Sequence, residues 1–395
     1  MKVAIVIHRY GTEFAGGSEY LARLYAENMQ DEWDITVLST CAKDYLTWEN
    51  YYPSGPSKCN GVKVHRFPVK KPRNFESFSK YSYATESKAY AISSETEAQY
   101  FEAQGPFSPE LIDSIEASYD SYDFFIFFTY LYYPTVIGLP KVADKAYLLS
   151  TAHDEPPLYF LRTYAPLFHS LRGIIYLSED ERNLVNRVYE IPSHVKQYDG
   201  IFGLDIPEPF SQEEEAIYQE KFKEILEDPF YLYLGRASES KRCFDMIHAY
   251  VMSKRNIQHK TRLIFAGSIE INIDVGRDDI VYLGFLTERE KSFLLRSCIA
   301  LINPSPLESL SLVLLEAWAH RTPVLVNGNC RTTKQLCDDS SGGLYYHSEA
   351  MFQGLLEWLY HNPSERQTLG KQGYDYVLDR YNWGKAKQEF LRSLR

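Results

Sequence analysis

Six cysteines, at positions 41, 59, 243, 298, 330 and 337, are scattered through 395 residues, and no two stand in a CxxC. Neither a zinc ribbon nor a disulfide framework is indicated. No two aspartates are separated by a single residue, and His, Cys and Asp never gather at metal-ligand spacing, so no metal is expected. The GxGxxG of a dinucleotide turn is missing too. No run approaches the roughly 18–20 apolar residues of a membrane-spanning helix. The nearest, YDFFIFFTYLYYPTVIGLP at 122–140, is broken by Pro134 and loaded with hydroxyls. The opening MKVAIVIHRYG places five apolar residues before His8 and Arg9, too short for a signal-peptide core, so a cytoplasmic setting is expected. Basic residues are outnumbered, 42 against 53 acids for a net charge of −11, and neither half of the chain is a basic module. That balance argues against a nucleic-acid partner.

What is present fits two soluble domains of roughly 200 residues each. Short apolar runs alternate with longer helical patterns, the signature of parallel sheets built from βα units. Strands are expected at 3–7, 34–39, 62–67, 123–128, 146–150 and 173–177, with helices at 18–29, 86–103, 108–118 and 179–189. The regions 40–60 and 68–82 read as loops. From Gly200 the chain turns proline-rich and then strongly charged, which marks a domain boundary. Beyond it strands are expected at 230–234, 262–266, 280–283, 299–302, 323–327 and 343–346, and helices at 241–253, 287–297, 311–320 and 349–361. The expected fold is α/β, with two Rossmann-like, doubly wound domains, 1–200 and 201–381, facing each other across a cleft. Such sheets bind ligands beyond the carboxyl ends of their strands. The tail 382–395 carries a helical stripe (Trp383, Ala386, Phe390, Leu391 and Leu394) and is expected to return to the first domain, with Phe390 and Leu391 touching residues below 200.

Two stretches of the second half carry chemistry. ESLSLVLLEAW (308–318) is small or apolar except for Glu308 and Glu316. Eight positions on one helix would put them about 80° apart. The spacing works better with Glu308 in the loop after a strand and Glu316 two turns into the helix. Ser309 and Ser311 are then natural caps, and the first helical amides form an anion site. YLYLGRASESKRCFDMI (231–247) reads as a strand, a Gly235-Arg236 turn, polar residues, and Lys241 opening a helix. Two cations and a helix N-terminus facing together suit a diphosphate; the blander reading has the cations neutralising local acids such as Glu239.

The order GR, then lysine, then YLGF, then NPSPLES…LLEAWAHRTPVL resembles the nucleotide-sugar domain of the retaining glycosyltransferases of family 4, strongly over about 230–347. The resemblance implies the two-domain GT-B fold and transfer from a nucleotide-diphosphate sugar to a glycan, lipid-linked or small-molecule acceptor, as in polysaccharide or glycoconjugate synthesis. It implies that Arg236 and Lys241, beside Gly235, contact the donor diphosphate. Glu308 would contact the donor sugar and Glu316 the ribose, while amides around Ser309, Leu310, Ser311 and Leu312 hold sugar and phosphate oxygens. Many members carry glycine where Ser311 stands. Charge neutralisation would come from these cations and helix dipoles, with no cofactor and no obligatory metal.

The first half matches more loosely. Gly16-Gly17 lies between the first strand and its helix, as in the family, which places Gly17 near the donor. Glu19 begins that helix, where the dipole alone favours an acid. His153 follows a strand in LLSTAHDEPPLYF (148–160), and the family commonly has a histidine near there that approaches the donor sugar. Ser178 and Glu181 read as a capping box. The one basic run, KVHRFPVKKPR (63–73), is either a solvated loop or a contact for an acidic acceptor or anionic lipid headgroups at a membrane face. Two rivals remain: a nucleotide-sugar 2-epimerase, and an inactive sugar-nucleotide-binding partner subunit.

Overall fold

A computed structural model describes residues 1–13, 16–86, 93–200, 202–256, 260–271 and 277–393. The chain divides into two compact units, one of residues 1–202 with 387–395 and the other of residues 203–386.

The first unit is built on eight strands: β1 Lys2–Val6, β2 Asp34–Thr40, β3 Gly55–Cys59, β4 Val62–Phe67, β5 Phe124–Phe128, β6 Ala146–Leu149, β7 Gly173–Tyr176 and β8 Lys196–Asp199. They lie in the order β3-β4-β2-β1-β5-β6-β7-β8, and only β3 runs antiparallel to its neighbour. Helices cover both faces of a parallel sheet, so its central strands are apolar throughout. FFIFF of β5 is buried at all five positions. From β1 the order runs one way to β2 and the other way to β5, which makes the edge between β1 and β5 the switch point of this sheet.

The second unit has six parallel strands, β9 Phe230–Leu234, β10 Arg262–Ala266, β11 Ile280–Tyr282, β12 Leu301–Asn303, β13 Val324–Asn327 and β14 Gly343–Tyr346. Their order is β11-β10-β9-β12-β13-β14, so the switch point lies between β9 and β12. The charged segment after the boundary is the helix Gln212–Lys221, opened by a complete capping box of Ser211 and Glu214. It is tied to the helix Glu288–Ser297 by ion pairs Arg289–Glu214, Arg296–Glu215 and Lys221–Glu290. Both ends of this charged helix are thus held by ion pairs, and between them Tyr218 packs its ring on Phe293 at 5.6 Å.

Several expectations needed correction. The region 40–60 contains the edge strand β3, whose GPSKC is too polar to announce itself. The region 68–82 contains most of the helix Phe75–Glu86, started by Asn74 accepting from the Ser77 amide at 2.8 Å. Asn reads equally well as a turn residue or a cap, and the turn reading was the wrong one. The helix expected at 86–103 is Ser94–Gln104, capped by Ser93; residues 87–92 lie outside the described residues. Strand β8 and the helices Arg331–Ser340 and Pro363–Arg380 had not been anticipated.

The last helix, Trp383–Ser393, begins in the second unit and ends in the first. Phe390 is fully buried and packs its ring on Trp33 (5.2 Å between centroids), Tyr147 (6.1 Å), Tyr25 (6.4 Å) and Phe124 (6.4 Å). The side chain of Leu391, and Leu394 altogether, lie outside the described residues. Among the described residues no helix is long and apolar enough to cross a membrane.

Candidate active site

The carboxyl ends of β9 and β12 flank the switch point of the second sheet, and both carry polar turns. After β9 the chain bends at Gly235, whose φ of +136° is open only to glycine. The tight approach comes after β10. A Cβ on Gly267 would lie 2.1 Å from the Gly235 carbonyl oxygen, so two backbones meet where any side chain would part them. The Tyr233 hydroxyl donates to the Arg236 carbonyl at 2.8 Å and holds the turn open. Arg236 then lies 3.7 Å from Glu270. Lys241 does not open the helix; Arg242 takes a left-handed φ of +54° and the helix starts at Cys243.

After β12, asparagine side chains replace regular structure. Asn303 Oδ1 accepts from the Ser305 amide at 3.0 Å, while its Nδ2 donates to Ser311 Oγ at 2.8 Å and reaches Glu308 Oε1 at 3.4 Å. From the end of β13, Asn327 Nδ2 donates to the Pro304 carbonyl at 3.0 Å. This framework presents Glu308 to Lys241, whose Nζ donates to Glu308 Oε1 at 2.7 Å. A cation from the β9 turn and a carboxylate from the β12 turn therefore meet beside the switch point. Both keep partial solvent access, with side chains 29% and 16% exposed, so a ligand can reach them.

The helix that follows is Leu312–Ala319. Ser311 stands at its N-cap position but makes no side-chain cap; it adopts the left-handed conformation, φ +71°, with its hydroxyl accepting from Asn303. The expected serine cap is wrong for that reason. A left-handed residue is also where glycine fits best, which accounts for the glycine the family often has there. Leu310 and Ser311 are buried, and Ser309 and Leu312 half-buried. Glu316 sits one turn into the helix rather than two, only 7% exposed. Its Oε1 accepts from Lys291 Nζ at 2.8 Å, and Lys291 meets Glu288 at 2.8 Å as well. Burial alone would push the Lys291 ammonium down, yet the carboxylates of Glu316 and Glu288 hold it above the usual lysine range.

Residues 214–376 match the family model for glycosyl transferases group 1. The chain carries a glycosyl transferases group 1 domain. Lys241, Glu308, Lys291 and Glu316 all lie within that domain. The alpha-monoglucosyldiacylglycerol synthase of Streptococcus pneumoniae is 25% identical over 239 residues, covering 56% of this chain and 52% of that protein. The chain spans about half the length of the curated relatives it matches. Among solved structures, sucrose-phosphate synthase from Thermosynechococcus elongatus superposes with a TM-score of 0.71 at 15% identity, over 99% of this chain and 97% of that one. HepE of Anabaena, solved with UDP and glucose, gives 0.72 at 14% identity, over 100% and 99%. At such identities the likeness establishes the fold, which is GT-B.

The remaining expected residues belong to the first unit. Gly17 opens the helix Gly17–Met29, and a Cβ there would meet nothing within 4 Å. Gly16 is the constrained one: its Cβ would fall 2.1 Å from Glu19 Oε2. Glu19 is more than a dipole partner. It is buried and accepts from His8 Nε2 at 2.9 Å, Arg9 Nε at 3.0 Å, Arg9 Nη2, and Ser18 Oγ at 2.9 Å. Burial would push the Glu19 carboxyl up, but His8 and Arg9 beside it keep it well below the usual range. Burial lowers the His8 pKa, opposed by the Glu19 carboxylate beside it. Sequence reasoning missed this cluster. Its signal was a His-Arg pair directly after the apolar run of β1.

His153 follows β6, half-buried, with Nδ1 3.7 Å from Glu155 Oε1, which also accepts from the Tyr130 hydroxyl at 2.8 Å. The capping box expected at Ser178 is only half made. Ser178 accepts from the Glu181 amide at 3.2 Å, but the Glu181 carboxylate turns away into the interior. In the basic run, Lys63, Lys70 and Lys71 pair with Asp34, Glu110 and Glu102, while Arg66 and Arg73 turn inward onto carbonyl oxygens of Tyr10 and Gln104. Its charge is largely met within the chain. Among the described residues no three His, Cys, Asp or Glu side chains gather as metal ligands.

Proposed function

We propose that this chain is a retaining glycosyltransferase of family 4 that moves a sugar from a nucleoside-diphosphate sugar to a glycan, lipid-linked or small-molecule acceptor. The observation that carries the reading is the Lys241–Glu308 pair beside the β9/β12 switch point, with Arg236 on the same turn as Lys241. Arg236 and Lys241 take the diphosphate, the amides from Ser309 to Leu312 take phosphate and sugar oxygens, and Glu308 takes donor-sugar hydroxyls. Glu316 accepts from the ribose, and Gly17 and His153 are further candidate donor contacts.

In the reaction the bond between the anomeric carbon and the β-phosphate oxygen breaks, and the departing oxygen gains charge. Prearranged cations and amides favour that charge by several kcal/mol. The acceptor oxygen bonds to the anomeric carbon on the same face, and its proton passes to the departing phosphate. No protein base is required, and the cations take the part a metal would play. The lipid acceptor class draws support from the pneumococcal relative, an alpha-monoglucosyldiacylglycerol synthase, and a UDP-sugar donor from HepE, solved with UDP and glucose.

The test is release of nucleoside diphosphate from a panel of UDP-, GDP- and ADP-sugars, with and without diacylglycerol or oligosaccharide acceptors. Transfer that needs an acceptor and keeps the anomeric configuration, followed by proton NMR, is the expected result. Turnover without any acceptor would favour the epimerase, and binding without turnover the inactive partner.

A further inference from the structure

The Glu181 carboxylate has no part in the reading above, and the capping role assigned to it from sequence is filled by Ser178 alone. It is 1% exposed and spends both oxygens on neutral donors. Oε1 accepts from Ser150 Oγ at 2.5 Å and from the Ala152 amide at 2.6 Å. Oε2 accepts from the Leu177 amide at 2.7 Å, just past the end of β7. Between the two groups bound to Oε1 lies Thr151, with φ +50°. A β-branched residue seldom enters the left-handed region, so such a bend persists only where its surroundings impose it. One carboxylate oxygen grips the chain on both sides of that bend. The next residue after Ala152 is His153.

We propose that Glu181 is a positioning residue for His153: its carboxylate clasps the left-handed Thr151 bend to the end of β7 and so fixes where the imidazole leaves β6. This rests on the reading that places His153 at the donor sugar. Three converging donors need two accepting oxygens, and glutamine would turn an NH₂ toward either Leu177 N–H or the Ser150–Ala152 pair. A helix cap alone would not require a carboxyl group to be buried.

Three variants and one cycle test the inference. Glu181→Gln keeps the shape and loses one acceptor; Ser150→Ala removes a single donor; His153→Ala removes the group being positioned. With UDP-glucose as probe, Glu181→Gln should lower kcat at least tenfold while KM stays within about twofold, with Ser150→Ala intermediate. In the His153→Ala background, Glu181→Gln should add nothing, because both act through one imidazole. Amide hydrogen exchange, which needs no turnover, should quicken at Ala152 and His153 in Glu181→Gln while UDP affinity by calorimetry holds.

Unchanged exchange at those amides overturns the clasp. Full additivity with His153→Ala overturns the positioning role, as does loss of UDP binding together with activity. Wild-type turnover by His153→Ala removes His153 from the proposed site and this inference with it. A wild-type chain inactive on every donor of the panel defeats the functional reading, while exchange still decides the clasp.

Discussion

Replacing Lys291 by methionine would remove the cation from a pair that burial makes sensitive. Its side chain is 18% exposed and that of Glu316 9%, with 2.8 Å between Nζ and Oε1. Methionine has nearly the same length, so the variant leaves little void and isolates the charge. Taking one partner from a buried pair typically costs 3–5 kcal/mol, because the other charge is stranded. The residual exposure here puts the expected loss at the low end, about 3 kcal/mol. Glu288, 64% exposed, simply turns to water and adds nothing. For a unit of this size each kcal/mol moves Tm by roughly 2–4 °C, so calorimetry should show a fall of about 6–12 °C. Adding Glu316→Gln should restore most of it. Lys291 also sets a pH signature. Its folded pKa is raised, so its contribution is complete below about 10.4 and is lost as pH rises through the higher folded value. The gap between wild type and variant should therefore close in strong alkali. Donor KM should rise more than kcat falls, since a displaced Glu316 weakens ground-state and transition-state binding alike. A loss under about 1 kcal/mol would mean that the pair behaves as an exposed one, and would refute the argument.

Lys241→Ala should lower kcat/KM on the order of 10²-fold, because the charge it meets grows in the transition state, and steady-state kinetics on the preferred donor reads this directly. EDTA should leave most wild-type activity intact; reversible loss on chelation would count against the metal-free account. Phe390→Ala should destabilise by about 3–5 kcal/mol in thermal or urea unfolding, since a fully buried ring leaves a cavity among four aromatic neighbours. Burial raises the Glu181 carboxyl to about 7, above its ordinary value, so the folded chain binds that proton more tightly than the unfolded one. Stability on its account is complete below about 4.3 and falls by about 4 kcal/mol as pH rises through 7, a slope that Glu181→Gln should flatten in pH-dependent unfolding.

The sequence by itself determined the fold class and most of the strands. Parallel strands buried on both faces must be apolar runs, and the turns at their carboxyl ends must be polar, so FYLYLGR and CIALINPS declare both in local order. It misjudged what local composition leaves ambiguous. Asn74 can cap or turn, GPSKC is an edge strand without an apolar face, and Ser311 looks like a cap yet takes the left-handed bend. Only the tertiary structure decided which charges meet. Lys241 and Glu308 are 67 positions apart, Lys291 and Glu316 25, and Glu181 grips Ser150 and Ala152 from 31 and 29 positions away. No periodicity encodes such pairs, because they form when the order of strands in a sheet brings separate turns to one edge. The sequence supplied the carboxylates and the cations; strand order, with β12 returned beside β9 and β7 beside β6, determined their partners.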